Sequence, residues 1–152
     1  MERISRDEMF CIIAMIVSLR ATCERAKIGA VLVKENRIVS IGYNGSPSGS
    51  PHCTEAGCLI DERGGCKRTV HAEANVIAFA AKNGIETDGT TLYCTVSPCI
   101  DCAKLLINSG VKRLVYLEGY RDTSGIELLM NCGVEVCRKS VQGVDYIKLL
   151  SL

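Results

Sequence analysis

The sequence carries almost no net charge: 18 Lys and Arg against 17 Asp and Glu leave +1 over 152 residues. No whole-molecule field favours an extended nucleic acid, and no Lys/Arg run advertises phosphate contacts, so a small substrate is the stronger expectation. Long apolar runs are also missing. The first one, Met9 to Val17, lies between Asp7-Glu8 and Ser18, far short of the ~20 residues a membrane-spanning helix needs. It follows Glu2, Asp7 and Glu8 rather than a cationic stretch, so a secretory leader is not expected. The expectation is a soluble, cytoplasmic protein with no membrane partner. Repeats, low-complexity tracts and linkers are absent too. With 47% hydrophobic and 23% charged residues, the composition fits one domain over 1–152, able to bury about 68–70% of its unfolded surface.

Cysteine is abundant instead, with ten residues against only two histidines. Disulfides, buried packing and metal ligation compete for them, and a reducing compartment favours the last two.

Ser5-Arg6-Asp7-Glu8 has the form of a capping box opening a helix that runs to about Arg20. That helix is apolar almost all round, the pattern of one sandwiched between layers or subunits. Ile28–Val33 and Arg37–Tyr43 read as an antiparallel hairpin joined by Lys34-Glu35-Asn36, with both strands central. From Asn44 to about Thr69 the chain is rich in Gly, Ser, Pro, His and Cys without periodicity, and a loop of that length needs something other than a hydrophobic face to hold it. A helix from His71 to Asn83 ends at Gly84, a strand covers Thr90–Val96, a helix Cys99–Ser109 stops at Gly110, and a strand covers Lys112–Glu118. Ser124–Asn131 reads as a short helix closed near Gly133 and Val134–Cys137 as a last strand, while Asp145–Leu150 is left unassigned. The order predicts a three-layer α/β/α sandwich around a mixed five-stranded sheet. His71 and Cys99 would each open a helix at the carboxyl end of a strand, where open α/β sheets bind ligands.

His71-Ala72-Glu73 and Pro98-Cys99-Ile100-Asp101-Cys102 together match the H-x-E and P-C-x-x-C signature of zinc-dependent nucleobase deaminases. One imidazole (His71) and two thiolates (Cys99, Cys102) give zinc three protein ligands and leave a fourth position open, as in catalytic sites. Helix-start amides favour the thiolates. Glu73, two residues from His71, is placed to shuttle protons. The competing reading is a structural Cys-x-x-Cys knuckle with an unrelated helix histidine, in which Glu73 has no role.

Beyond these motifs, the segments Lys27–Val31, Gly42–Pro47, Arg68–Asn75, Ser97–Cys102 and Glu118–Tyr120 resemble the cytidine deaminase superfamily, and more narrowly the deoxycytidylate (dCMP) deaminases of bacteria and phages. The resemblance implies hydrolysis of dCMP to dUMP and ammonia. By the same resemblance Asn44 would hold the sugar, Ala72 and Ser97 would read the pyrimidine edge, Tyr120 would approach the nucleotide, and Asn75 would support them. Asn44 beside Gly45 also reads as an ordinary turn residue. Arg25, Lys27 and Arg121 are candidate phosphate cations, though each alone is more often a solvated charge. The resemblance further implies a homo-oligomer, a hexamer, activated by dCTP with magnesium and inhibited by dTTP, with Gly42, Tyr43, Gly45, Phe79 and Lys82 at effector positions. Those residues also read as a tight turn, a core aromatic and a surface lysine.

Cys23, Cys53, Cys58 and Cys66 suit a second, structural zinc that would order the 44–69 loop. His52 is a rival ligand, and the spacing matches no single zinc ribbon. Cys11, Cys94, Cys132 and Cys137 read as small core residues. Two other functions compete: a zinc deaminase of cytidine, deoxycytidine or a transfer-RNA adenosine, and a zinc-stabilised interaction module without chemistry.

Overall fold

A computed structural model describes residues 3–141; the unassigned Asp145–Leu150 segment lies outside them. Ser5 caps the first helix, α1 (Arg6–Ser18), through the capping box: its hydroxyl accepts from the Glu8 amide at 3.2 Å, and the Glu8 carboxylate accepts from the Ser5 amide at 2.7 Å. Strands β1 (Gly29–Lys34) and β2 (Arg37–Tyr43) follow as a hairpin. Its turn puts Glu35 and Asn36 at φ 48° and 61°, the left-handed pair of a type I′ turn that matches strand twist. After the short α2 (Cys53–Ala56) come α3 (Ala72–Lys82), β3 (Thr91–Val96), α4 (Ile100–Asn108), β4 (Arg113–Glu118), α5 (Ser124–Asn131) and β5 (Glu135–Arg138).

The sheet order is β2-β1-β3-β4-β5, with β1 antiparallel to both neighbours and β3, β4 and β5 parallel. This is the mixed five-stranded α/β/α sandwich that the sequence predicts. Alternation along β1 splits the core. Ala30 and Leu32 face α3, α4 and α5 among Val76, Leu106 and Leu129, while Val31 and Val33 face α1 with Phe10, Ala14 and Val17. No helix among the described residues is long and apolar enough to cross a membrane.

Two expectations are corrected. β2 is an edge strand rather than a central one, and its Ile38 and Ile41 are 42% and 50% exposed; a β-branched run measures strand propensity, which does not encode position within the sheet. Cys132 is exposed rather than core; it is the C-cap of α5, past the helix's last apolar turn. Cys11 and Cys94 are fully buried, and Cys137 is half-buried.

Glycines allow close backbone approach at several points, among them Gly42 and Gly125. A Cβ on Gly42 would meet the Ala72 carbonyl oxygen at 2.6 Å and the Val76 amide at 2.9 Å, so α3 is seated directly on β2. A Cβ on Gly125 would lie 2.3 Å from the Pro98 carbonyl oxygen and 2.9 Å from the Cys99 carbonyl oxygen. The start of α5 therefore lies against the backbone that opens α4.

Candidate active site and metal-ligand clusters

His71 is the N-cap of α3 and Cys99 the N-cap of α4, both in extended backbone with side chains that make no capping hydrogen bond. Those side chains are free to converge on each other, and Cys102 joins them from the first turn of α4. The His71 Nδ1 atom lies 3.5 Å from the Cys99 Sγ and 3.5 Å from the Cys102 Sγ. Zn–S bonds of about 2.3 Å and Zn–N bonds of about 2.0 Å at tetrahedral angles place nitrogen and sulfur about 3.5 Å apart. The donor set thus fits zinc in both chemistry and span. Cys99 is held near pKa 4, chiefly by its hydrogen bond from Cys102 and, against the cost of burial, by His71; the same bond raises Cys102. One thiolate is already favoured before a cation is considered.

Glu73, in the first turn of α3, is 4% exposed, and burial pushes its carboxyl up to about 7, partly opposed by His71. It opens onto a cleft lined by His71, Cys99, Asn44, Ser97, Tyr120 and Arg25, among others. Asn44 is buried and clamped: its Oδ1 accepts from the Ile28 amide and its Nδ2 donates to the Ala26 carbonyl, both at 2.8 Å. One amide hydrogen and one lone pair are left for a ligand. The Ser97 hydroxyl accepts from the Tyr120 amide at 2.7 Å, fixing the Tyr120 backbone beside the cleft. Ala72, the first residue of α3, is fully buried.

Not every candidate reaches the cleft. Lys27 is exposed and does not line it, although Arg25, Ala26 and Ile28 do. Asn75 is turned away, its Nδ2 donating to the Tyr43 carbonyl at 2.8 Å, so it ties α3 to the end of β2. Gly42 is the seat for α3, and Gly45 pairs with Val70 across the base of the following loop. Phe79 is 50% exposed and Lys82 is exposed one turn on along α3, so Phe79 is not the core aromatic its type suggests. A second groove adjoins the cleft and brings in Arg63, Lys67 and Arg121, which the motifs do not point to except for Arg121. The Arg121 guanidinium sits 5.6 Å from the Tyr120 ring centre and donates to the Arg63 carbonyl.

The other four cysteines also gather. The sulfurs of Cys23, Cys53, Cys58 and Cys66 lie within 4.8 Å of one another, with Cys23–Cys58 at 3.8 Å and Cys53–Cys66 at 3.6 Å. Two thiolates on one tetrahedral zinc are about 3.8 Å apart, against about 2.05 Å in a disulfide. A closed four-thiolate cage fits; the exposed His52 stands outside it. Gly125, pressed against the Pro98–Cys99 backbone, is not pointed to by the motifs. Its signal is a glycine inside a helix, a costly choice unless another backbone must come close.

Comparison with known proteins agrees with this geometry. Residues 4–118 match the family model described as the cytidine and deoxycytidylate deaminase zinc-binding region. The chain is 43% identical to the ComE operon protein 2 of Bacillus subtilis over 138 residues, covering 90% of this chain and 72% of that protein. It is 37% identical to the deoxycytidylate deaminase of Enterobacteria phage T4, covering 82% and 84% of the two chains. The crystal structure of the dCMP deaminase of cyanophage S-TIM5 in complex with dCMP and dUMP superposes with a TM-score of 0.80 at 36% identity, over 91% of this chain and all of that one.

Proposed function

The chain belongs to the cytidine and deoxycytidylate deaminase family, and from that premise we propose that it hydrolyses dCMP to dUMP and ammonia as a single cytoplasmic deaminase domain. The observation that carries the reading is the convergence of His71, Cys99 and the buried Cys102 from two helix starts, at a cleft that His71, Cys99 and the buried Glu73 line. His71, Cys99 and Cys102 would hold the catalytic zinc, which when bound supplies a Lewis acid that brings the ionisation of water toward neutral pH. Glu73 takes one proton from the attacking water and delivers it to the ring nitrogen beside the amine-bearing carbon. The second proton passes to the amine, which leaves as ammonia, and the carbon keeps the oxygen as a carbonyl. Asn44 offers its remaining donor and acceptor to the deoxyribose, the Ala72 and Ser97 backbones flank the pyrimidine, and Tyr120 closes the cleft with Arg25 and Arg121 near the 5′-phosphate.

The proposal extends to control. dCTP with magnesium activates and dTTP inhibits a hexamer, with Phe79 and Lys82 on the exposed face of α3 available to an effector or a neighbouring subunit. Such control requires each effector to bind two states unequally.

Ammonia release from dCMP, cytidine, deoxycytidine and a transfer-RNA stem-loop, each with and without dCTP and dTTP, tests the reading. dCMP is expected to lead by a wide margin, and turnover confined to another substrate would overturn it. Glu73→Gln is expected to retain zinc while losing roughly 10³-fold or more in kcat, since general acid–base transfer by one side chain contributes about 10²–10⁴. Near-wild-type turnover in that variant would remove Glu73 from the mechanism.

A further inference from the structure

The segment from Ser46 to Val70 is latched at its base by the paired backbones of Gly45 and Val70, at 3.2 and 2.9 Å. Between those ends only Cys53 and Cys66 are buried. Leu59 and Ile60, its large aliphatic side chains, are 52% and 56% exposed. The buried cluster around the segment consists of Cys23, Cys53 and Cys66, with Cys58 against them and no aliphatic or aromatic side chain. Hydrophobic burial therefore contributes little to holding this segment, and the four sulfurs carry the task.

Two of these cysteines also belong to the wall of the catalytic cleft: Cys23 and Cys66 line it together with His71, Glu73 and Asn44. Cys23 leads directly into Arg25 and Ala26. Arg25 lines the cleft, and the Ala26 carbonyl is the acceptor that fixes Asn44. Cys66 ends the turn in which Asp61 Oδ1 accepts from the Gly65 amide at 2.7 Å and the Arg63 carbonyl receives Arg121. The 23–28 and 65–66 stretches that line the cleft are thus attached to different arms of the cluster, with Asp61 and Arg63 lining the adjoining groove.

Resting on the deaminase reading above, we propose that Cys23, Cys53, Cys58 and Cys66, gathered on a metal ion, are positioning residues for the nucleotide: they hold the 23–28 and 65–66 walls against it and so set substrate affinity. The cluster is then more than a fold staple. Losing its metal loosens both walls while leaving His71, Cys99, Cys102 and Glu73 on their own helices, so binding weakens ahead of chemistry.

The test uses Cys58, which lines no part of the cleft. Cys58→Ser is expected to hold one zinc per chain where the wild type holds two. Its KM for dCMP and its Kd for dUMP, the latter by calorimetry, should each rise roughly tenfold or more while kcat stays within about threefold, the pattern of lost uniform binding. Cys58→His, with an imidazole zinc ligand, should restore both the second zinc and the affinity. Unchanged KM and Kd in a one-zinc Cys58→Ser protein would overturn the proposal, as would a fall in kcat with KM unmoved. If the serine variant is insoluble, Cys58→Asp is titrated from one to two equivalents of zinc; dUMP affinity must rise with the second equivalent, and a flat response is a refutation. Wild-type protein that fails to turn over dCMP would instead sink the functional reading, so the two failures are distinguishable.

Discussion

At the scale of single residues, the proposed reacting groups are legible in the sequence because their chemistry dictates residue types at fixed spacing. His71, Glu73, Cys99 and Cys102 need only two short motifs at two helix starts. What surrounds them is less legible. Asn44 reads as a free turn amide, yet two of its hydrogen bonds are committed to the 26–28 backbone. Asn75 and Lys27 look equally available, and neither enters the cleft, because side-chain direction depends on the helix face and local chain path rather than on proximity in sequence. Gly125 shows the same limit from the other side, since its value lies wholly in what presses against it. Gly125→Ala would force α5 off the Pro98–Cys99 backbone and shift Cys99, a proposed metal ligand. Displacements near 1 Å can cost about 10²-fold in rate, so kcat is expected to fall on the order of 10–100-fold, with zinc at the catalytic site held more weakly in a chelator competition. Unchanged rate and zinc affinity would show that α5 yields instead.

At the scale of elements, capping and periodicity carry most of the information. The Ser5–Glu8 box, the glycines at positive φ after α3, α4 and α5 (Gly84, Gly110, Gly133) and the β-branched strands all stand where the sequence places them. The short α2 is not legible, because four residues give no periodic signal. Nor is the tie between α1 and the sheet. Asp7 accepts from both terminal guanidinium nitrogens of Arg113 on β4 at 2.8 Å and from the Tyr93 hydroxyl on β3 at 2.7 Å. The Arg113 pairing, against partial burial, lowers the Asp7 carboxyl from 3.8 to about 2. A depressed folded-state pKa means the contribution is complete above the unfolded value near 3.8 and is lost as pH falls through about 2. Asp7→Asn should therefore cost about 2 kcal/mol near neutral pH, since Arg113 loses its two-pronged partner and keeps only the 3.3 Å pairing with the exposed Glu135. The difference from wild type should shrink as the pH drops below 4 toward 2, as thermal melts across that range would show. A constant difference would deny the ion pair its role.

At the scale of the whole molecule, the helix that reads as apolar all round does have two apolar sides. One packs on the sheet; the other leaves Met9, Ile16 and Leu19 at 37%, 54% and 69% exposure, and the β2 edge adds Ile38 and Ile41. Assembly is the expected resolution of surfaces like these, and sedimentation should find an oligomer that Leu19→Glu shifts toward smaller species, whereas a wild-type monomer at micromolar concentration would contradict it. The sheet and its layers are legible from alternating strands and helices, but which outer face meets a neighbour is not, because a sequence does not distinguish apolar residues buried by folding from those buried by association. The latched 46–70 segment has a further practical consequence. It carries the exposed Arg63 and Lys67 on a stretch anchored by only two buried residues, and a chain severed there remains joined through the β1–β3 ladder. Trypsin would then report cluster loading as a banding pattern: intact polypeptide while the four sulfurs are gathered, and two fragments that separate only under denaturing conditions once they are not.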